Sequence, residues 1–234
     1  GAELRDTDGA FYEVDRGFEF YAPQVFTRRP SEPGPVLLTA WAGNASEDDQ
    51  PSIETGRWVH ALSLPRALSL KNGRLIQRPA TDLPHDAGQP ALVGTPLDSG
   101  QYEPAELHGH RSWQLRLEAE PDRTSGAWGV RIGTDRSYVD IILDGGALRV
   151  DRSTSRYTQH GAERTVTLPE GCASVLEIVH DRSLTEVFVG DGALAFTMRS
   201  FVDPDSSGAR LLAGGVLTLK SGRVRTFTPV PEAL

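Results

Sequence analysis

Trp113-Gln114-Leu115-Arg116-Leu117-Glu118-Ala119-Glu120 alternates apolar and polar side chains for eight residues. A period of two marks a strand with one face buried and one face wet. Residues 18–27, 35–42, 57–64, 126–133, 137–143, 174–180, 184–189, 194–199 and 223–228 also read as strands. Between such runs lie Asn72-Gly73, Asp144-Gly145 and Asp191-Gly192. Each suits a type I′ hairpin, where φ > 0 is required at both central residues. Val139–Val150 and Thr185–Thr197 share one shape, a strand on either side of an Asp-Gly pair. Helix signals are nearly absent, and the chain reads as an all-β protein.

At 234 residues the chain is long enough for one large domain or two small ones with a real core. Its formal charge of -8 makes it a poor ligand for polyanions, so no nucleic-acid partner is expected. No apolar run approaches the roughly 20 residues of a membrane-spanning helix, so no membrane partner is expected either. Cys172 is the single cysteine, which excludes an internal disulfide and any multi-cysteine zinc site. His108 and His110 have no cluster of further ligands around them, so no metal site is expected. Residues 1–20 lack a basic start followed by an apolar stretch. The expected location is cytoplasmic, with secretion as the alternative.

The texture changes midway. Thr81–Gln101 is rich in Pro, Gly, Asp and His and has no sustained period, as in a linking loop. Residues 1–80 are aromatic and loop-rich, whereas regularly spaced short strands beyond about residue 105 suggest a β-sandwich. The expected division is a first unit at 1–90, a linker at 91–105 and a sandwich at 106–234.

Asp15-Arg16-Gly17-Phe18-Glu19-Phe20-Tyr21-Ala22-Pro23-Gln24 resembles the D-x-G-x-D-F-Y-A-P-Q stretch of glycoside hydrolase family 32. That family holds β-fructofuranosidases: invertases, levanases, inulinases and sucrose-6-phosphate hydrolases. Leu37–Trp41 is similar to its strand ending in Gly-Trp, with Ala40 for the glycine. Gly56–Trp58 and Leu62–Arg66 are similar to G-W…L-P-R-E-L, with Ala67 for the glutamate, and Gly73–Pro79 to G-x-L-x-Q-x-P. Val150–Ser153 and Asp181–Gly192 resemble signature pieces of the family's C-terminal sandwich. The resemblance implies the last one to two blades of a five-bladed β-propeller followed by an antiparallel β-sandwich. The family's W-M-N-D-P-N-G, R-D-P and E-C-P strings, which carry nucleophile, transition-state aspartate and acid/base, do not occur here. No catalytic residue is therefore assigned to this chain.

By that resemblance Asp15 falls beside the family's acid/base residue, where it would hydrogen-bond sugar hydroxyls and raise a neighbouring carboxyl's pKa. Glu19 stands where most relatives have aspartate. Phe20, Tyr21 and Trp41 would supply flat apolar walls for sugar C–H faces. The bland reading makes the two carboxylates salt-bridge or strand-end groups and the aromatics blade core. As a self-contained catalytic pair Asp15 and Glu19 fail on spacing. Four residues of strand separate their Cα atoms by roughly 13 Å, against about 5–9.5 Å between the carboxyls of glycosidases. The acidic stretch Ser46–Pro51 is a further candidate, bordering an outer sugar subsite.

The resemblance thus implies the C-terminal half of a retaining β-fructofuranosidase, inactive alone. Its implied substrate is sucrose or a fructan, with no cofactor. Its implied partner is an N-terminal propeller half, or another chain, covering an open blade edge. The alternative is a non-catalytic carbohydrate-binding or interaction module on the same fold remnant.

Overall fold

The computed structural model describes residues 11–26, 34–45, 50–56, 58–80, 89–90 and 97–227. The first sheet is a four-stranded antiparallel meander of β1 (Tyr21–Phe26), β2 (Val36–Trp41), β3 (Arg66–Lys71) and β4 (Arg74–Pro79), in that order. This is the form of one propeller blade. Asn72 and Gly73, both at positive φ, turn β3 into β4 as the dipeptide predicts. Of residues 57–64, expected as a strand, residue 57 lies outside the described residues and 58–64 form none. The helix Ser52–Gly56 precedes them, and Leu62 makes only an isolated bridge to Trp41.

The rest builds two six-stranded sheets. Twelve strands contribute: β5 (Gln89–Pro90), β6 (Gly100–Tyr102), β7 (Ser112–Ala119), β8 (Trp128–Gly133), β9 (Tyr138–Asp144), β10 (Ala147–Asp151), β11 (Glu163–Thr167), β12 (Val175–Asp181), β13 (Leu184–Val189), β14 (Leu194–Arg199), β15 (Ala209–Ala213) and β16 (Leu219–Thr226). One sheet has the order β11-β10-β9-β8-β15-β6, the other β14-β13-β12-β7-β16-β5. The described residues therefore hold one blade and a sandwich. The expected boundaries differ from this layout, because β5 pairs with β16 and β6 with β15, so sandwich strands occur before residue 106. Pro and Gly obscured these two short strands.

The core lies between the two sheets. Trp113, Leu115 and Leu117 of β7 alternate inward, as their spacing demands, and meet Leu176 and Ile178 of β12 in the same sheet. Val130 and Ile132 of β8 with Val139, Ile141 and Leu143 of β9 supply the opposite layer. Each such side chain contributes about 1.5–3 kcal/mol by leaving water. β14 breaks the alternation, being buried at all six positions. Its second face is covered by the blade.

His180, near the end of β12, lies in this apolar layer beside the Trp113 ring, 5.2 Å between centroids. Its Nδ1 and the Thr185 hydroxyl are 2.9 Å apart, and that hydroxyl lies 2.6 Å from Ser200 Oγ. Burial pushes the imidazole pKa from 6.5 down to about 4. Between those values the unfolded chain takes up a proton that the folded chain refuses, so this contribution to stability is whole above pH 6.5 and falls toward pH 4. The full loss is about 3 kcal/mol at 1.36 kcal/mol per pKa unit. Urea unfolding near pH 7 and near pH 4.5 should show a steep loss for the native chain and a shallower one for His180→Gln.

Candidate functional site

The carboxylates singled out from sequence sit at the seam between blade and sandwich. Residues 15–19 run beside β14, the terminal strand of its sheet, and close its free edge. Arg16 N–H donates to Ala195 O at 2.8 Å and Phe18 N–H to Thr197 O at 2.9 Å. In return Thr197 N–H donates to Asp15 Oδ1 at 2.9 Å and Arg199 N–H to Glu19 Oε2 at 2.7 Å. The two carboxylates thus complete the edge as a neighbouring strand's carbonyls would. Gly17 permits the approach. A Cβ there would lie 1.9 Å from Thr197 O.

Each carboxylate also meets its own arginine. Arg66 of β3 donates through Nη1 to Asp15 Oδ2 at 2.9 Å and to Gln77 Oε1 at 3.0 Å. It donates through Nε at 3.1 Å and Nη2 at 2.6 Å to Glu186 Oε2, and through Nη2 to Thr197 Oγ1. Leu64 N–H closes the cluster on Glu186 Oε1. All five guanidinium protons are used. Burial opposes the charge of Arg66, but Glu186 and Asp15 outweigh it and hold the guanidinium pKa above its ordinary value. With one cation between two buried carboxylates, burial pushes the Glu186 carboxyl up against the pull of Arg66.

Glu19 forms a two-pronged pair with Arg152, Nη2 to Oε1 at 2.7 Å and Nη1 to Oε2 at 2.9 Å. Both side chains are fully buried. The Arg152 guanidinium lies 4.0 Å from the centre of the Phe18 ring, which meets Phe196 edge-on at 5.3 Å.

This corrects the expectation of a sugar-facing pair. Asp15 Oδ1 accepts from Gly17 N–H and Thr197 N–H, and Oδ2 from Arg66 and Thr197 Oγ1, so all four of its acceptor sites are filled. The bland reading holds for both acids: they hold blade to sandwich. Phe20 is half-buried, with Arg66 4.4 Å from its ring centre. Tyr21 and Trp41 do come together, edge to face at 5.9 Å, and Trp41 meets His60 at 4.5 Å. Trp41 Nε1 is buried with no hydrogen-bond partner among the described residues. His60 was missed from sequence because nothing local marks it. Of Ser46–Pro51, residues 46–49 lie outside the described residues. Among the described residues no group of three or more His, Cys, Asp or Glu could hold a metal.

Residues 2–79 match the glycosyl hydrolases family 32 N-terminal domain, and residues 89–226 match the family's C-terminal domain. The chain belongs to glycoside hydrolase family 32. A probable sucrose-6-phosphate hydrolase of Psychromonas ingrahamii is 33% identical over 202 residues, covering 84% of this chain and 34% of the relative. The sucrose-6-phosphate hydrolase of Staphylococcus xylosus is 31% identical, covering 86% of this chain and 40% of its own. Among solved structures, exo-inulinase from Aspergillus awamori superposes with a TM-score of 0.72 at 19% identity, over 92% of this chain and 44% of that one. This chain therefore spans between a third and a half of the lengths of these family 32 proteins. One blade followed by a sandwich, as found here, is part of the family 32 fold.

Arg66→Ala strands two buried carboxylates and should cost about 3–5 kcal/mol of unfolding free energy in urea. Arg66→Lys should recover less than half of that, because an ammonium cannot serve five acceptors in a plane. Gly17→Ala should also destabilise, by about 2 kcal/mol or more, since the obstacle is backbone on both sides.

Proposed function

We propose that this chain is the C-terminal portion of a hydrolase that cleaves terminal β-fructofuranosyl linkages of sucrose or fructans with retention, and that it needs the preceding propeller blades to do so. Family membership supports the reaction class. The observation that carries the dependence is the surface of the blade. All six residues of β1 are exposed, and among the described residues β1 pairs only with β2. Tyr21, Val25, Phe26, Val36, Leu62 and Leu70 are exposed apolar side chains of the same blade region. An open strand edge beside bare apolar surface invites another strand.

In this reading the nucleophile and the acid/base group come from the earlier blades. Two carboxyls flanking the glycosidic bond at about 5–5.5 Å perform the double displacement through a covalent fructosyl intermediate. Tyr21 and Trp41 present ring surfaces at the blade's end, where sugar C–H faces would lie. Asp15 and Glu19 act only through the seam. The chemistry calls for no cofactor.

The test is hydrolysis of sucrose and of short fructans. The purified 234-residue chain should release no fructose, whereas co-expression with a segment carrying the earlier family 32 blades should give a soluble complex that does. Turnover by the chain alone, or failure of any such segment to associate with it, would overturn the proposal.

A further inference from the structure

The outer face of the β12-β7-β16 layer carries a cavity of about 350 Å³ that no step above uses. Strand register builds it. With Leu115, Leu117 and Val224 turned into the core, the alternate residues Gln114, Arg116, Arg223 and Arg225 face outward. Glu177 stands opposite Arg116, which stands opposite Arg223. Arg225 stands opposite Gln114. Arg78, at the end of β4, completes the wall, with Ser221 on the floor side.

Like charges directly opposite one another on a sheet destabilise it, and here Arg223 faces Arg116. Arg116 is partly satisfied by Asp191, at 2.7 Å. Arg78 Nε donates to Asp191 O at 2.9 Å. The side chains of Arg223 and Arg225 make no hydrogen bond or ion pair among the described residues, and Arg225 Nε is buried without an acceptor. Among the described residues Glu177 is the one carboxylate lining the cavity, and it already accepts from Gln114 Nε2. Burial pushes its carboxyl pKa up, against the pull of Gln114 and Arg116.

A second orphan defines what else a ligand must bring. Because Gln114 Nε2 donates to Glu177, its Oε1 faces away, and that oxygen is buried with no donor. A site with a buried guanidinium N–H lacking an acceptor, and a buried amide oxygen lacking a donor, is complementary to one molecule that supplies both. Bare phosphate dianion satisfies the first atom and not the second. A neutral sugar supplies hydroxyls but leaves the arginines opposed. The volume lies at the lower end of the range for small-molecule sites.

We propose that this cavity binds a small polyhydroxylated anion, a phosphate or carboxylate on a hydroxylated carbon skeleton, with the anion on Arg223 and Arg225 and a hydroxyl donating to Gln114 Oε1. The site is independent of the fructosidase reading, since it lies wholly on residues of this chain and needs no other blade.

Calorimetric titration of the 234-residue chain tests it, with glucose 6-phosphate and gluconate as the two anionic probes and glucose and inorganic phosphate as controls. At least one anionic probe should bind saturably at one site, inorganic phosphate more weakly, and glucose not at all. Arg223→Ala breaks no side-chain hydrogen bond or ion pair among the described residues and should weaken binding at least about tenfold, the scale of one hydrogen bond to a charged group. Arg225→Gln should do the same. Arg149→Ala on β10, an exposed arginine paired with Asp144 at 3.3 Å, should change nothing. Saturation by neither anion up to about 10 mM, equal binding of glucose, or equal loss in Arg149→Ala would overturn the proposal. So would unaltered binding by Arg223→Ala with native stability in urea.

Discussion

Arg66 is the residue on which the two halves depend. It leaves the blade on β3 and ends among groups of four other segments: Asp15 before β1, Gln77 on β4, Glu186 on β13 and Thr197 on β14. Full burial of a guanidinium is tolerable only where every proton is accepted and opposite charge is at hand. Here five acceptor contacts and two carboxylates meet that demand. The constraint then spreads outward. Asp15 has to stand beside β14, which draws Gly17 against Thr197 and sets Glu19 over Arg199 and against Arg152. On the far side Gly192 accepts from Gln77 N–H, again at a point where a Cβ would strike backbone.

Such a seam does more for geometry than for stability. A well-packed apolar contact of equal area would do as well or better energetically. Charged groups with fixed prongs admit one register instead, and a slip by one residue along β14 would leave Asp15 and Glu19 facing carbonyl oxygens in place of N–H groups. The seam thus holds blade and sandwich in one register.

Much of the sandwich was legible because its code is local. β7, β8, β9, β12, β13 and β14 were read within about two residues from alternation. The β9–β10 turn, however, falls on Gly145-Gly146, one residue beyond the expected Asp144-Gly145. Asp191-Gly192 sits inside a four-residue loop between Val189 and Leu194 in place of a two-residue turn. Other strands hid for reasons equally local. β11, Glu163–Thr167, carries charged and hydroxyl side chains on an edge with little to bury. The β12–β13 turn uses Arg182 at positive φ, a position no turn dipeptide advertises. Residues 57–64 read as a strand from their apolar content, yet the described part, 58–64, meets β2 through one bridge. At the site, the residue types of Asp15 and Glu19 were legible and their partners were not. Arg152 and Arg66 lie 133 and 51 positions away, and separations of that kind leave no mark on either local stretch. The cavity on β7 and β16 escaped for the same reason, because Arg116 and Arg223 face each other only once the register is known.

The distance along the chain between Asp15 and Thr197, 182 positions, also has a consequence in time. On a ribosome adding about 5–20 residues per second, the first carboxylate emerges on the order of 10–40 s before its strand edge exists. Until then Asp15 and Glu19 are hydrated anions on a tether. During that interval Arg66 also lacks two of its acceptors, Glu186 and Thr197. The buried pairs of the seam can close only once β13 and β14 have been synthesised.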